Sequence, residues 1–98
     1  MIIRIVQMTF HENKIDSFIK IFEENKQAIR HQPGCMHLEL WQDKNQPQIL
    51  STYSLWESEE YLNQYRHSET FGKVWPATKA LFAAKPVASS HIQRYQLD

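Results

Sequence analysis

Apolar residues alternate along parts of this chain in a way that predicts four strands. Residues 2–10 are apolar on both alternating faces, with Ile3 and Ile5 on one of them. This is typical of a strand in the middle of a sheet that is covered on two sides. Residues 35–42 and 48–56 are two further strands joined by a polar turn, and we expect them to form a hairpin. The last strand is expected at residues 87–96.

Strict alternation in the first hairpin strand predicts which of its side chains share a face. Met36, Leu38 and Leu40 fall on one side, and Cys35 and His37 fall on the other. The row of Met36, Leu38 and Leu40, or the pair of isoleucines in the first strand, is therefore expected to supply an apolar second face to the sheet.

Helical spacing of apolar residues predicts a long helix over residues 13–31. Asn13 and Asp16 resemble a capping pair at its start. The dipeptide Pro33-Gly34 is a strong helix breaker, so we expect the helix to end near His31.

Two shorter helices are expected in the second half of the chain. Ser58 and Ser68 are each predicted to cap a helix, because acidic residues follow each serine where the helix dipole favours them. Pro76 should interrupt the second of these helices, which then resumes over residues 77–84.

The predicted order of elements is β-α-β-β-α-β. This is the ferredoxin-like α+β arrangement, in which a four-stranded antiparallel sheet carries helices on one face. A chain of 98 residues fits one domain, residues 1–98. One sheet face is bare in such a monomer, and a bare apolar face is a docking surface, so we expect a homodimer.

Charge and composition exclude several classes of protein. Eleven basic residues balance eleven acidic ones without a long run of either sign, so no footprint for nucleic acid is present. No apolar stretch is long enough to cross a membrane, and the apolar start lacks the features of a signal peptide. We therefore expect a cytoplasmic protein without membrane contact. The chain has only two glycines and no phosphate-binding loop, so no nucleotide cofactor is expected.

The segment after the second hairpin strand carries a family likeness. It runs Trp56-Glu57-Ser58-Glu59-Glu60-Tyr61-Leu62 and then Tyr65-Arg66-His67-Ser68-Glu69-Thr70-Phe71. Together with the turn Pro33-Gly34-Cys35, this order resembles the antibiotic-biosynthesis-monooxygenase superfamily over nearly the whole chain. The resemblance implies a dimeric α+β barrel, in which two sheets face each other and each subunit has a pocket between its own sheet and helices.

The chain departs from that superfamily at several positions. Many members have a histidine where this chain has Tyr65, and another where it has Thr70. The haem-degrading branch would have its axial histidine at Trp75, and tryptophan offers no lone pair to iron. We therefore expect no haem. His37 and His91 are placed on neighbouring strands, but no third ligand is identifiable beside them, so no metal is expected.

The resemblance implies a cofactor-independent monooxygenase that acts on a small aromatic, quinol-type substrate. In this hypothesis His67, at the joint between two helices, is the base, and Asn63 polarises an oxygen atom. The alternative for His67 is a solvent-facing residue that interacts with the helix dipole. The alternative for Asn63 is an exposed helix position.

Aromatic side chains are expected to form the walls of the substrate pocket, because flat rings stack on a flat substrate. Ordinary core packing is the alternative for these rings. A second functional hypothesis is a non-catalytic small-ligand-binding or stress-linked domain on the same fold. The expected wall residues are Tyr53, Trp56, Tyr65, Phe71 and Trp75.

Overall fold

Strand β1 (Ile2–Thr9) lies in the middle of an antiparallel sheet, as its apolar faces predict. The structure is a computed structural model that describes residues 1–98. β1 pairs with β3 (Ile49–Trp56) on one side and with β4 (Val87–His91) on the other, and β2 (Cys35–Gln42) pairs with the far side of β3. The strand order β2-β3-β1-β4 confirms the predicted ferredoxin-like α+β fold.

The long helix α1 (Ile15–Arg30) ends where the sequence predicts but begins differently. A single 3-10 turn precedes it, and no side chain caps the start of either the turn or the helix. The predicted capping pair of Asn13 and Asp16 is therefore wrong. The backbone N–H of Lys14 donates instead to the carbonyl oxygen of His11 at 2.9 Å, so the turn satisfies part of the helix start.

The turn after α1 depends on a glycine. Gly34 has a φ of 78°, a backbone conformation that residues with a Cβ rarely adopt. A Cβ at this position would collide with the ring of Tyr61. The Gly34 carbonyl accepts a hydrogen bond of 2.8 Å from the N–H of Glu57, which ties this turn to the end of β3.

The hairpin of β2 and β3 contains a bulge that the sequence does not reveal. The register shifts between Cys35 and His37. As a result, Leu38 and Leu40 lie on the helix-covered face with Cys35, where Leu38 lines a cavity and Leu40 packs against the core. The predicted row of Met36, Leu38 and Leu40 on the second face is therefore wrong.

Helices α2 (Glu59–Arg66) and α3 (Glu69–Lys79) begin at the two predicted caps. The Ser58 hydroxyl accepts from the N–H of Tyr61, and the Ser68 hydroxyl accepts from the N–H of Phe71. The predicted interruption at Pro76 is wrong, because α3 continues through this residue to Lys79.

The last strand is shorter than predicted and lies elsewhere in the sheet. β4 ends at His91, and residues 92–98 form no regular element. β4 pairs with β1, so it occupies the edge opposite β2. His37 and His91 therefore lie about 14 Å apart across three strand spacings, and the predicted neighbourhood of these histidines is wrong.

The two faces of the sheet differ in what covers them. The helices cover one face, and the core there has one cluster around Met8, Phe10 and Phe18 and another around Trp56 and Leu62. The other face carries no helix. We call it the open face; it is formed by alternate residues of the four strands, and Ile3, Ile5 and Leu55 lie half-buried on it. None of the helices has the length and apolar character needed to cross a membrane.

Candidate functional site

A cavity of about 160 Å³ lies between the helix-covered face of the sheet and the three helices. Of the 19 residues that line it, 13 are hydrophobic. Such a wall is mostly apolar and leaves a few polar groups to orient a bound molecule.

Four aromatic rings in mutual contact form one side of this cavity. The ring of Trp56 stacks on that of Tyr65 at 5.1 Å, and Phe71 meets Tyr65 edge-on at 5.3 Å. Phe71 then stacks on Trp75 at 5.7 Å. These four residues all line the cavity, so the structure brings together four of the five aromatic residues that the sequence assigns to the pocket.

The rings come from three elements that converge at one end of the sheet. Trp56 is the last residue of β3, Tyr65 lies near the end of α2, and Phe71 and Trp75 are four residues apart on α3. Residues at this spacing share a helix face. The Ser58 and Ser68 caps fix where each helix starts, and this sets which residues point at the sheet.

Ser54 is a buried hydroxyl in the cavity wall. Its Oγ accepts a hydrogen bond of 3.0 Å from Nε1 of Trp56. Ser54 donates to no group in the protein, so its own proton is free to hydrogen-bond a ligand oxygen.

Tyr65 is held in its neutral form. Burial, and secondarily the neighbouring Cys35, raise the pKa of the Tyr65 hydroxyl to about 12. A phenol with this pKa keeps its proton at neutral pH, so Tyr65 can donate a hydrogen bond but is a poor general base.

Two arginines contribute the only charges to the cavity wall. Arg4 enters from β1 and Arg66 from the end of α2, and no aspartate, glutamate or histidine lines the cavity. Burial, and secondarily the charge of Arg66, lower the pKa of Arg4. Sequence reasoning missed both residues. A signal was present, because Arg4 interrupts the otherwise apolar face of β1 that carries Val6 and Met8.

The predicted catalytic pair lies outside this cavity. His67 follows the last residue of α2, is exposed, and its Nδ1 donates to the carbonyl oxygen of Asn63 at 2.8 Å. The exposed Asn63 side chain accepts a hydrogen bond of 2.9 Å from Arg66. Both side chains are therefore exposed, as the alternative interpretations describe, and neither lines the cavity; their catalytic role stays a prediction.

Tyr53 lies on the open face, away from the other predicted wall residues. Its ring stacks on Trp41 at 5.1 Å and meets His37 edge-on at 5.8 Å. Strand alternation explains the difference, because Tyr53 and Trp56 are three residues apart on one strand and so point to opposite faces.

A polar cluster accompanies Tyr53 on the open face. Glu39 accepts hydrogen bonds from Nε2 of His37 at 2.5 Å and from Nε1 of Trp41 at 2.7 Å. These two bonds hold the pKa of the Glu39 carboxyl below its ordinary value. No three histidine, cysteine, aspartate or glutamate residues lie together as a metal site would require.

Comparison with known proteins finds similarity to one family. The sequence model described as antibiotic biosynthesis monooxygenase matches residues 1–75. The search of curated proteins finds no match.

Several solved structures share the fold. A crystal structure described as an antibiotic biosynthesis monooxygenase is 19% identical, with a TM-score of 0.89 over 95% of this chain and 98% of that one. A conserved protein from Methanosarcina mazei Go1 is 19% identical, with a TM-score of 0.90 over 96% of this chain and 94% of that one. SnoaB from Streptomyces nogalater, a cofactor-independent oxygenase solved as a variant, is 16% identical, with a TM-score of 0.86 over 98% of this chain and 95% of that one.

Proposed function

This chain belongs to the antibiotic biosynthesis monooxygenase family, and from that premise we propose that it is a cofactor-independent oxygenase of a small aromatic, quinol-type substrate. The observation that carries the proposal is the aromatic wall of Trp56, Tyr65, Phe71 and Trp75 beside an otherwise apolar cavity. A flat, electron-rich ring can pack against such a wall. The similarity to SnoaB, which is a cofactor-independent oxygenase, supports the same reaction class.

The proposed reaction needs no external reductant. A quinol that has lost a proton gives electrons to dioxygen, and one oxygen atom enters the ring. The other oxygen atom leaves as water with two hydrogens from the quinol, so the product is a hydroxyquinone. The apolar wall would keep water from the reactive anion, while Ser54 and Tyr65 donate hydrogen bonds to the substrate oxygens.

A non-catalytic ligand-binding domain is the second candidate. Its support is the cavity wall itself, which includes no carboxylate or imidazole that could take the substrate proton. An enzyme with this wall depends on a substrate that ionises without a protein base. A binding protein has no such requirement.

We further propose that the chain forms a homodimer through its open face. Ile3, Ile5 and Leu55 on this face have no helix against them, and Trp41 is 45% exposed there. A sheet with one uncovered apolar face is expected to bury it against a partner. Two facing sheets would give the dimeric α+β barrel that the family resemblance implies.

Oxygen consumption across a panel of dihydroxynaphthalenes tests the oxygenase proposal. Ala88 is exposed and lines the cavity from β4, so Ala88→Phe should obstruct the cavity without disturbing the core. We expect Ala88→Phe to lower the rate by about tenfold to a hundredfold, because small displacements of a reacting ring have effects of this order. The matched control Ala84→Phe changes an exposed residue off the cavity wall and should leave the rate unchanged.

The same assay tests whether His67 takes part in the reaction. Because His67 does not line the cavity, His67→Ala should keep the rate of the unmodified protein. If the protein binds several compounds of the panel but consumes oxygen with none of them, the oxygenase proposal is wrong and the ligand-binding proposal stands.

A further inference from the structure

The cavity wall holds two positive charges and no negative one, and we infer that Arg4 and Arg66 together recognise an anionic oxygen on a planar aromatic ligand. This inference rests on the cavity of the proposed function being a ligand site, but it does not require turnover. It narrows the ligand class from aromatic molecules in general to aromatic acids and ionised phenols.

The two guanidinium groups approach the cavity from different elements. Arg4 lies on β1 directly between Ser54 of β3 and Ser90 of β4, and it donates to the Ser90 hydroxyl at 3.0 Å. Arg66 lies at the end of α2 and donates to Oδ1 of Asn63 at 2.9 Å. Each guanidinium has five N–H donors, and each uses one of them in these contacts. Donors therefore remain for a ligand on both sides of the same space.

Neither arginine has an acidic partner. Glu23 pairs with Lys26 and Glu39 contacts His37, and none of these residues lines the cavity. The chain as a whole has a formal net charge of zero, so the charge of the cavity is local and not part of a general basic surface.

Arg4 is partly buried and has no acidic partner, so an opposite charge in the cavity would be favourable beside it. Burial and mutual repulsion both act on Arg4, since its pKa falls for these two reasons. A ligand carboxylate or phenolate would relieve both effects at once, whereas a neutral ligand would relieve neither. Arginine also forms planar, paired hydrogen bonds that suit an oxygen anion.

The remaining wall groups are suited to the same ligand. The Ser54 hydroxyl accepts from Trp56 and has no protein acceptor, so it can donate to a ligand oxygen. Phe71 and Trp75, which are only partly buried in the cavity wall, are placed to contact the aromatic part of the ligand. The cavity thus combines a cationic end with a stacking wall.

Isothermal titration calorimetry with a matched pair of ligands tests the inference. 2-Naphthoate and 2-naphthamide have the same ring and nearly the same shape, but only the first is an anion at neutral pH. We expect naphthoate to bind more tightly by about tenfold to a hundredfold, the range expected of hydrogen bonds to charged groups. Oxygen-free buffer removes any contribution from turnover.

Substitution of the two arginines should remove this preference. In Arg66→Gln and in Arg4→Gln, naphthoate affinity should fall towards that of naphthamide, while naphthamide affinity stays the same. Arg66→Lys should retain part of the preference. Lys73→Gln, which removes one positive charge from an exposed position on α3, is the matched control and should behave like the unmodified protein.

A third ligand, 2-naphthol, distinguishes the two sources of the anion. If its bound form ionises at a lower pH than the free form, the site accepts phenolates, as a quinol substrate requires. If it binds only in the neutral form while naphthoate is selected, the site is one for carboxylic acids.

Equal affinity for naphthoate and naphthamide in the unmodified protein would overturn the inference, and so would a preference that survives in both glutamine variants. These outcomes are separate from the oxygenase test. A protein that selects the anion but consumes no oxygen refutes the proposed oxygenase alone, and one that oxygenates quinols without anion selection refutes the inference alone.

Discussion

Tyr65 is the single residue whose acid–base behaviour the fold changes most. It packs between Trp56 and Phe71, and burial is the main reason that its pKa rises from 10.0 to about 12. A group with a raised pKa in the folded state holds its proton more tightly there than in the unfolded chain. The free energy of unfolding should therefore depend on pH in the alkaline range because of Tyr65.

The sign of this coupling gives a prediction. Below pH 10 both states keep the proton, and between pH 10 and about 12 only the folded state keeps it, so the free energy of unfolding falls as pH rises through this window. The loss should be about 3 kcal/mol, at about 1.4 kcal/mol for each of the two pKa units. Urea unfolding at several pH values should show this loss in the unmodified protein and a smaller one in Tyr65→Phe. Tyr95→Phe, in the exposed terminal segment, is the control; if it flattens the pH dependence equally, burial of Tyr65 is not the cause.

Sequence patterns predicted the aromatic wall but not the polar groups of the cavity. Aromatic residues at the ends of strands and helices are recognisable in the sequence because they fall at the same spacing as the other apolar residues of those elements. The sequence did not reveal that His67 makes the same bond from Nδ1 to a carbonyl oxygen four residues earlier that His31 makes at the end of α1. Both histidines serve to close a helix. Arg4 was visible as a charge on an apolar strand face, but its pairing with Arg66 depends on tertiary structure.

At the scale of elements, α3 is unusual because a proline lies in its interior. Pro76 is the eighth residue of a helix that starts at Glu69, so its missing N–H leaves the carbonyl oxygen of Gly72 without the usual helical donor. Gly72 has no side chain and is exposed, so water can reach that carbonyl. The helix continues because its inner face is held by contacts of Trp75 and the buried Thr78.

Replacing this proline should stabilise the protein. Pro76→Ala restores one helical hydrogen bond, and proline is about 3 kcal/mol less favourable than alanine within a helix. The greater flexibility of the unfolded chain offsets about 0.4–1 kcal/mol of this gain. We expect the free energy of unfolding in urea to rise by about 1–3 kcal/mol. Pro86→Ala, outside any helix or strand, should give no increase; a loss of stability in Pro76→Ala would contradict this account of α3.

Local signals explain which element boundaries the sequence could predict. The serine caps of α2 and α3 depend on residues three positions apart, and both were predicted correctly. The bulge at Cys35 depends on how β2 pairs with β3, and the sequence of β2 alone does not predict it. The continuation of α3 depends in the same way on packing against the sheet.

At the scale of the whole molecule, the open face is the surface through which we propose that the chain forms a dimer. Its residues come from all four strands and include Ile5 at the centre, opposite Tyr53. Order and type of the strands and helices were predictable from periodicity, and so was the existence of this face. Which edge β4 occupies was not, because periodicity carries no information about strand neighbours.

Sedimentation equilibrium at micromolar concentration tests the proposed homodimer. We expect twice the 11.7 kDa mass of the chain, held by an interface of at least about 1,200 Å². Ile5→Lys places a charge in the middle of the open face and should yield monomers. Ala28→Lys adds the same charge to an exposed position on α1 and should remain dimeric. A single monomeric species for the unmodified protein would refute this assembly.

The central position of β1 has a consequence for how the chain folds during synthesis. β1 is the first strand to be made, yet its neighbour β4 is the last, and the two meet through pairs such as Ile3 with His91. Until β4 arrives, a nascent sheet of β2, β3 and β1 presents the N–H and C=O groups of β1 along an unprotected edge beside two isoleucines. Such an edge can recruit strands from other chains. The five residues of β4 cover this edge only after they have been synthesised, so we expect the nascent chain to be most prone to aggregation before then.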